Sequence, residues 1–373
     1  MISPKYFIDS LQNRQLDFFS GVPDSLLKSV CAYITDHFSP QNHIIAANEG
    51  AAVGLAAGYY LSTGRTPVVY MQNSGIGNAV NPLMSLIDKE VYNIPLLLLI
   101  GWRGEPGVKD EPQHVKQGKV TIPLFDAMGI ENQVLAKSNV EFLAKLEFAL
   151  AHIQKTNEPF AFIISKETFE DYKLQGGKKS NLSLGREEAI QIVASGVLDN
   201  SVIVSTTGMI SRELFEYREK SGQSHASDFL TVGSMGHASQ IALGIALHKR
   251  DKTVYCLDGD GATLMHMGGL AIVGSMQPNN YIHVVFNNGA HDSVGGQPTV
   301  GLDLDFSKIA LACGYHAAFS VSDSDSLEMA IEDIKRMCGP VFLEIKVKKG
   351  ARADLGRPTT SPIENKVAFM RQF

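Results

Sequence analysis

The feature that most constrains the fold is that the chain matches itself. At an ungapped offset of 186 residues, Gly50-Ala51-Ala52 falls on Gly236-His237-Ala238, Ala56 on Ala242, Gly58 on Gly244, Val68 on Val254 and Gly75 on Gly261. The apolar run Leu96–Ile100 falls on Ile282–Phe286. With one residue of slack, Gly21-Val22-Pro23 falls on Gly208-Met209-Ile210. In a chain of 373 residues, so long a period means two copies of one domain rather than a solenoid. Strand-like and helix-like segments alternate in both copies. That predicts two homologous α/β domains, each a doubly wound parallel sheet with helices on both faces. The boundary is expected in Gly176-Gly177-Lys178-Lys179-Ser180, a solvated linker by composition. Domains are therefore expected at 1–175 and 185–373, with a linker at 176–184.

In the second copy, Thr253–Leu257 and Tyr281–Phe286 read as buried strands, and Leu264–Met276 as the helix between them. Each strand runs into a polar cluster: Gly259-Asp260-Gly261-Ala262 after the first, Asn287-Asn288-Gly289-Ala290 after the second, with 25 residues between Gly261 and Asn287. The carboxyl ends of strands are where open α/β sheets bind ligands. Glycines flanking Asp260 let the backbone come close to phosphate oxygens and expose its amides. The Asp260 carboxylate, the Asn288 amide oxygen and the Ala290 carbonyl form a hard, all-oxygen set. Such a set suits Mg²⁺ completed by phosphates and water. Gly-Asp-Gly alone is most often a tight turn; both clusters together favour a metal diphosphate.

In the first copy, Ile44–Ala52 reads as a strand, a carboxylate and a helix start, with Glu49 at the junction. A lone glutamate there is commonly a helix N-terminal acid. Asp24 and Ser25 follow a strand and can cap a helix beginning near Leu26. Gln72-Asn73-Ser74-Gly75 ends the strand Thr66–Met71, where the repeat aligns it with Gly259-Asp260-Gly261. Trp102–His114 reads as a long polar loop ending in Gln113 and His114. Loops of that length are commonly functional, and His114 suits proton transfer, although a surface histidine is equally consistent. The tail carries Lys346, Lys348, Lys349, Arg352 and Arg357. This is a solvated basic edge by default; Arg352 and Arg357 are also candidates for holding an anionic substrate.

The net charge of −6 argues against a nucleic-acid partner. The four cysteines show no pair at metal-ligand spacing, and Cys256 and Cys313 read as buried thiols. No apolar stretch reaches spanning length and no signal peptide is evident, so no membrane role and a cytoplasmic location are expected.

Gly-Asp-Gly, 25 residues and Asn-Asn resemble the motif of enzymes dependent on thiamine diphosphate (ThDP), which carry two like-folded domains. The resemblance implies that Asp260, Asn288 and Ala290 hold Mg²⁺, with Gly259, Gly261, Ala262 and His291 beside the diphosphate. It implies that Glu49 bonds N1′ of the aminopyrimidine. Gly233 offers its carbonyl to the 4′-amino group, and Met235, next to Ser234, wedges between the cofactor's rings. Asn73 and Gly75 are expected near the thiazolium. Three further runs, Gly21–Ser25, Thr206–Leu214 and Arg352–Pro358, together with Asn287–Thr299, resemble the phosphonopyruvate decarboxylases, a branch of the 2-oxo-acid decarboxylases without a middle domain. The implied activity is non-oxidative decarboxylation of the small-molecule 2-oxo acid 3-phosphonopyruvate, in phosphonate biosynthesis, by a homodimer or higher homo-oligomer. The candidate catalytic residues are Glu49 and His114, with the 4′-amino group or a water as alternatives to His114 as the acid, and the candidate substrate contacts are Asp24, Ser25, Gln113, Arg352 and Arg357. The rival within the class is sulfopyruvate decarboxylase. Outside it, the rival is a ThDP-fold binding or regulatory subunit.

Overall fold

The computed structural model describes residues 1–176 and 181–373. The chain divides into two compact units, Met1–Gly177 and Lys178–Phe373. Of the expected linker, Gly177 to Ser180 lie outside the described residues.

The first unit holds strands β1 (Phe19–Gly21), β2 (His43–Ile45), β3 (Val68–Gln72), β4 (Leu97–Gly101), β5 (Glu131–Val134) and β6 (Phe160–Ile164). They form one parallel sheet in the order β2-β1-β3-β4-β6-β5. In the second unit, β7 (Ser201–Ser205), β8 (Asp228–Leu230), β9 (Thr253–Gly259) and β10 (Tyr281–Asn287) are followed by a short ribbon, β11 (Ala290–His291) with β12 (Gln297–Pro298), then β13 (Ala317–Val321) and β14 (Val341–Lys346). Its main sheet runs β13-β14-β10-β9-β7-β8 and is also parallel. Read from the other edge, this is the order of the first sheet strand for strand. The 186-residue self-match is thus a repeat of one fold.

Alternation along each strand explains the layers. Val68, Tyr70, Leu97 and Leu99 pack on one face against helices Pro4–Gln12, Lys28–His37 and Asn139–Thr156. Val69, Met71, Leu98 and Ile100 pack on the other, with residues of helices Glu49–Thr63 and Pro112–Ala127. The second unit repeats this with Tyr255, Leu257, Val284 and Phe286 on one face and Val254, Cys256 and Val285 on the other. Strands covered on both faces read as unbroken apolar runs, which is why they stood out in the sequence.

Two expectations are corrected. Trp102–His114 is not loop throughout, because a helix starts at Pro112; proline at the first helical position sacrifices no intrahelical donor. Leu264–Met276 is not one helix. Asp260–Met265 ends where His266 leaves the helical region (φ −132, ψ 48), and a second helix runs Gly268–Met276. Among the described residues, no helix is long and apolar enough to cross a membrane.

Candidate active site

In each sheet the chain reverses its winding between the first and third strands, and ligands of open α/β sheets lodge outside that switch point. In the second unit the switch lies between β7 and β9, and Asp260 is the first residue beyond β9. Its carboxylate is buried and accepts a hydrogen bond from the Thr299 hydroxyl. Burial raises its pKa to about 6, against hydrogen bonds from Thr299 and from the backbone of Asn288 and Gly261. Among the described residues no Lys or Arg pairs with it. A carboxylate kept from water without a countercharge is suited to a cation. Gly301 closes one side: a Cβ there would lie 2.6 Å from Asp260 Oδ2 and 2.7 Å from Asn287 Oδ1.

The two asparagines have different jobs. Asn287 faces the interior, donating to the Gly301 carbonyl (2.8 Å) and to Glu344 Oε1 (2.7 Å). Asn288 accepts the Ala290 N–H at Oδ1 (3.0 Å) and donates through Nδ2 to Asp292 Oδ2 (2.7 Å). An amide with its nitrogen committed as donor must present oxygen on its other side. Asp292 also receives Arg186 Nη1 (2.9 Å) and the Gly350 N–H (3.0 Å). Arg186 bonds Glu213 through Nε (2.8 Å) and Nη2 (3.0 Å), and both are buried. Sequence reasoning did not assign a role to Arg186, Glu213 or Asp292. Glu213 and Asp292 lie in motif runs already singled out, whereas Arg186 gave no signal.

Against the Gly-Asp-Gly turn lie two expected neighbours. A Cβ on Gly261 would sit 3.0 Å from His291 Cε1 and 3.4 Å from Met235 Cε. Burial lowers the pKa of His291 to about 4, so at neutral pH it is an uncharged donor or acceptor. Gly233 (φ 68), Ser234 (φ 50) and Gly236 (φ 83) hold the Met235 loop in a left-handed path, tied by the Gly233 N–H to Thr207 Oγ1 (3.0 Å). Asp260, Asn288 and Ala290 could hold Mg²⁺; the glycine amides and His291 could meet a diphosphate.

Beneath this turn, one ligand atom each from Cys256, Asp258 and His283 lie within 4.8 Å of one another, all buried. Cysteine spacing could not reveal this cluster, because it draws on two neighbouring strands. Cys313 is only partly buried, contrary to expectation.

In the first unit Glu49 opens the helix Glu49–Thr63, whose N-cap Asn48 accepts the Ala51 N–H (2.9 Å). The Glu49 carboxyl is buried; that burial raises its pKa, while a hydrogen bond from Asn78 Nδ2 (2.7 Å) opposes the shift. It lies flat on Gly75, where a Cβ would approach Oε1 to 2.2 Å. Only glycine leaves room for that carboxylate. Asn73 is committed elsewhere: it donates to the Arg103 carbonyl (2.8 Å) and Thr121 Oγ1 (2.9 Å), and accepts the Arg103 N–H (3.2 Å). It pins the segment after β4 rather than presenting its amide. Asp24 is fully buried, bonded by Gln72 Nε2 (2.6 Å) and the Leu26 N–H (2.8 Å), and burial raises its pKa. Ser25 Oγ receives Arg103 Nη1 (2.9 Å). His114 is buried in the first turn of its helix, and burial followed by the Arg103 charge lowers its pKa. Gln113 is half-buried beside it.

Arg352 is engaged by Glu187 (2.8 Å), Asp354 (2.9 Å) and Glu216. Arg357 is exposed.

Residues 4–128 match the family model described as "Thiamine pyrophosphate enzyme, N-terminal TPP binding domain", and residues 206–345 match "Thiamine pyrophosphate enzyme, C-terminal TPP binding domain". The chain is 31% identical to a phosphonopyruvate decarboxylase of Streptomyces hygroscopicus over 98% of this chain and 92% of that protein. The phosphonopyruvate decarboxylase of Streptomyces viridochromogenes is also 31% identical, covering 98% and 93%. A sulfopyruvate decarboxylase of Methanosarcina acetivorans is 28% identical over 92% of this chain and 90% of that protein.

Proposed function

Because the chain belongs to the thiamine pyrophosphate enzyme family, we propose that it is a carboxy-lyase converting 3-phosphonopyruvate to phosphonoacetaldehyde and CO₂, without oxidation, with ThDP and Mg²⁺. The aldehyde would enter phosphonate biosynthesis. The observation that carries the reading is that one chain supplies both a buried Glu49 lying on Gly75 and a buried Asp260 that, among the described residues, has no countercharge, beside Asn288 and Ala290. A binding or regulatory subunit has no use for both. The substrate rests on similarity to phosphonopyruvate decarboxylases along nearly the whole chain.

Bound ThDP would supply an electron sink for the electron pair freed as CO₂ leaves. The rest falls to the protein. Asp260, Asn288 Oδ1 and the Ala290 carbonyl would hold Mg²⁺, and an ionised Asp260 would then have a cationic partner in its buried position. Asn288 keeps its oxygen toward the metal because Asp292, fixed by Arg186, holds its nitrogen. Burial raises the pKa of Glu49, so its carboxyl holds a proton more firmly than a solvated glutamate and can lend it to the pyrimidine N1′. The Met235 side chain and the Gly233 carbonyl orient the pyrimidine. His114, uncharged at neutral pH, is placed to pass a proton beside Asp24 and Arg103. The working form is a homodimer or larger, in which one coenzyme draws on Glu49 of one copy and on Asp260 of another. Light scattering on cofactor-loaded, active protein would contradict this by returning a monomer.

The deciding assay gives phosphonopyruvate and sulfopyruvate in parallel to protein stripped of metal and reloaded with ThDP and Mg²⁺. The expected result is turnover of both with higher kcat/KM for phosphonopyruvate. The reverse preference would assign the sulfonate substrate instead, and no turnover of either would leave the binding-subunit reading.

A further inference from the structure

A substrate with a second anionic group needs a fixed cation near the reacting carbons, and the structure narrows the choice. Arg352 already meets three carboxylates and Arg186 two. Arg103 meets one. Its Nε (2.8 Å) and Nη2 (2.5 Å) take the two oxygens of Asp110, and Nη1 donates to Ser25 Oγ (2.9 Å). A guanidinium has five N–H donors, so two have no acceptor among the described residues. The backbone of the same residue is fixed on both sides by Asn73, two positions before the glycine that carries the Glu49 carboxylate. Asp110 is itself held by the Gly104 and Glu111 N–H groups (both 2.8 Å). Those bonds and Arg103 outweigh its burial and keep it ionised. The guanidinium is thus oriented before any ligand arrives, and its side chain is 19% exposed. Nearby, His114 is buried and its Nδ1 has no hydrogen-bond partner. A buried ring nitrogen without a partner points to a ligand or water at this spot.

We infer that Arg103, braced by Asp110 and Ser25, is the substrate-recognition residue of the reaction proposed above, receiving the dianionic phosphonate on its remaining N–H donors with His114 alongside. The inference rests on that reaction. The phosphonate is favoured over the departing carboxylate for an energetic reason. An Arg paired to the carboxylate would lose its partner's charge as CO₂ forms, stabilising the ground state more than the transition state. A group that stays charged throughout suffers no such penalty. Arg also presents the planar fork that matches three-oxygen anions.

The test uses the full chain loaded with ThDP and Mg²⁺, comparing wild type, Arg103→Gln and Arg103→Lys. It measures kcat/KM for phosphonopyruvate and for pyruvate, which has the carboxylate but no phosphonate. Losing a charged hydrogen-bond partner corresponds to on the order of 10- to 100-fold. The phosphonopyruvate-to-pyruvate ratio should fall by that factor in Arg103→Gln and by less in Arg103→Lys, which keeps the charge without the fork. Calorimetry with phosphonoacetate as probe should show a matching loss of affinity, with ThDP affinity held. If both substrates lose equally, or phosphonoacetate binds as before, Arg103 is structural or serves the carboxylate, and the assignment is overturned. Arg103→Lys, the milder change, keeps the test decisive should Arg103→Gln not fold. Wild type inactive on every 2-oxo acid would overturn the proposed reaction, and this inference with it. Active wild type with an unmoved ratio overturns Arg103 alone.

Discussion

Asp260 makes the metal-free protein sensitive to pH in a calculable way. Its folded-state pKa is about 6, raised by burial from 3.8. A carboxyl with a raised pKa binds its proton more tightly when folded, so its stabilising contribution is complete below the unfolded pKa. That contribution fades as pH rises through the folded pKa. The full shift corresponds to about 3 kcal/mol, of which about 1.4 kcal/mol falls between pH 5 and pH 8. Urea unfolding of protein stripped of metal and cofactor should therefore show this group favouring pH 5 over pH 8 by about 1.4 kcal/mol. Asp260→Asn, which cannot ionise, should lose that component while keeping the pH dependence of all other groups. Adding Mg²⁺ with ThDP should reverse the trend for wild type, because the cation binds the ionised form. It should stabilise Asp260→Asn far less. If wild type and Asp260→Asn show the same stability difference between pH 5 and pH 8, the carboxylate is not the buried group described here. The argument for a cation at this position then fails.

Other outcomes follow from the same contacts. Glu213→Ala leaves the buried Arg186 with Asp292 alone and should cost about 3–5 kcal/mol in urea unfolding; a cost below about 1 kcal/mol would mean the pair is solvated. Asp292→Ala frees the Asn288 amide to rotate, so Mg²⁺ affinity by calorimetry should weaken on the order of 10- to 100-fold. Gly75→Ala places a methyl on the Glu49 carboxylate. It should cost about 1–3 kcal/mol and abolish most turnover, whereas near-normal kcat would remove Glu49 from the mechanism. Chelation with EDTA should stop turnover, and Mg²⁺ should restore it.

Much of this protein could be read from order along the chain. The self-match gave two like domains because equivalent small residues, such as Gly50 with Gly236 and Gly75 with Gly261, recur at one offset. The central strands were legible because both faces are covered, so Leu96–Ile100 has no polar interruption and Tyr281–Phe286 only His283. The positions of the candidate metal ligands were legible because Asp260 and Asn288 follow directly on the ends of β9 and β10, with Ala290 two residues beyond Asn288. Less visible were local boundaries such as the helix beginning at Pro112, where a proline that punctuates loops equally well opens a helix.

What tertiary structure decided was which side chains share hydrogen bonds. Arg186, Glu213 and Asp292 come from separate segments, and only packing of those segments brings both carboxylates within 3 Å of the guanidinium. The pairing of Asn78 with Glu49, the trio Cys256, Asp258 and His283, and the brace of Arg103 by Asp110 and Ser25 are of the same kind. So is the engagement of Arg352, a candidate from the basic tail, by three carboxylates. A residue's chemistry and its place at a strand end are local properties. Whether its charge is spent or available depends on neighbours that the linear order does not specify.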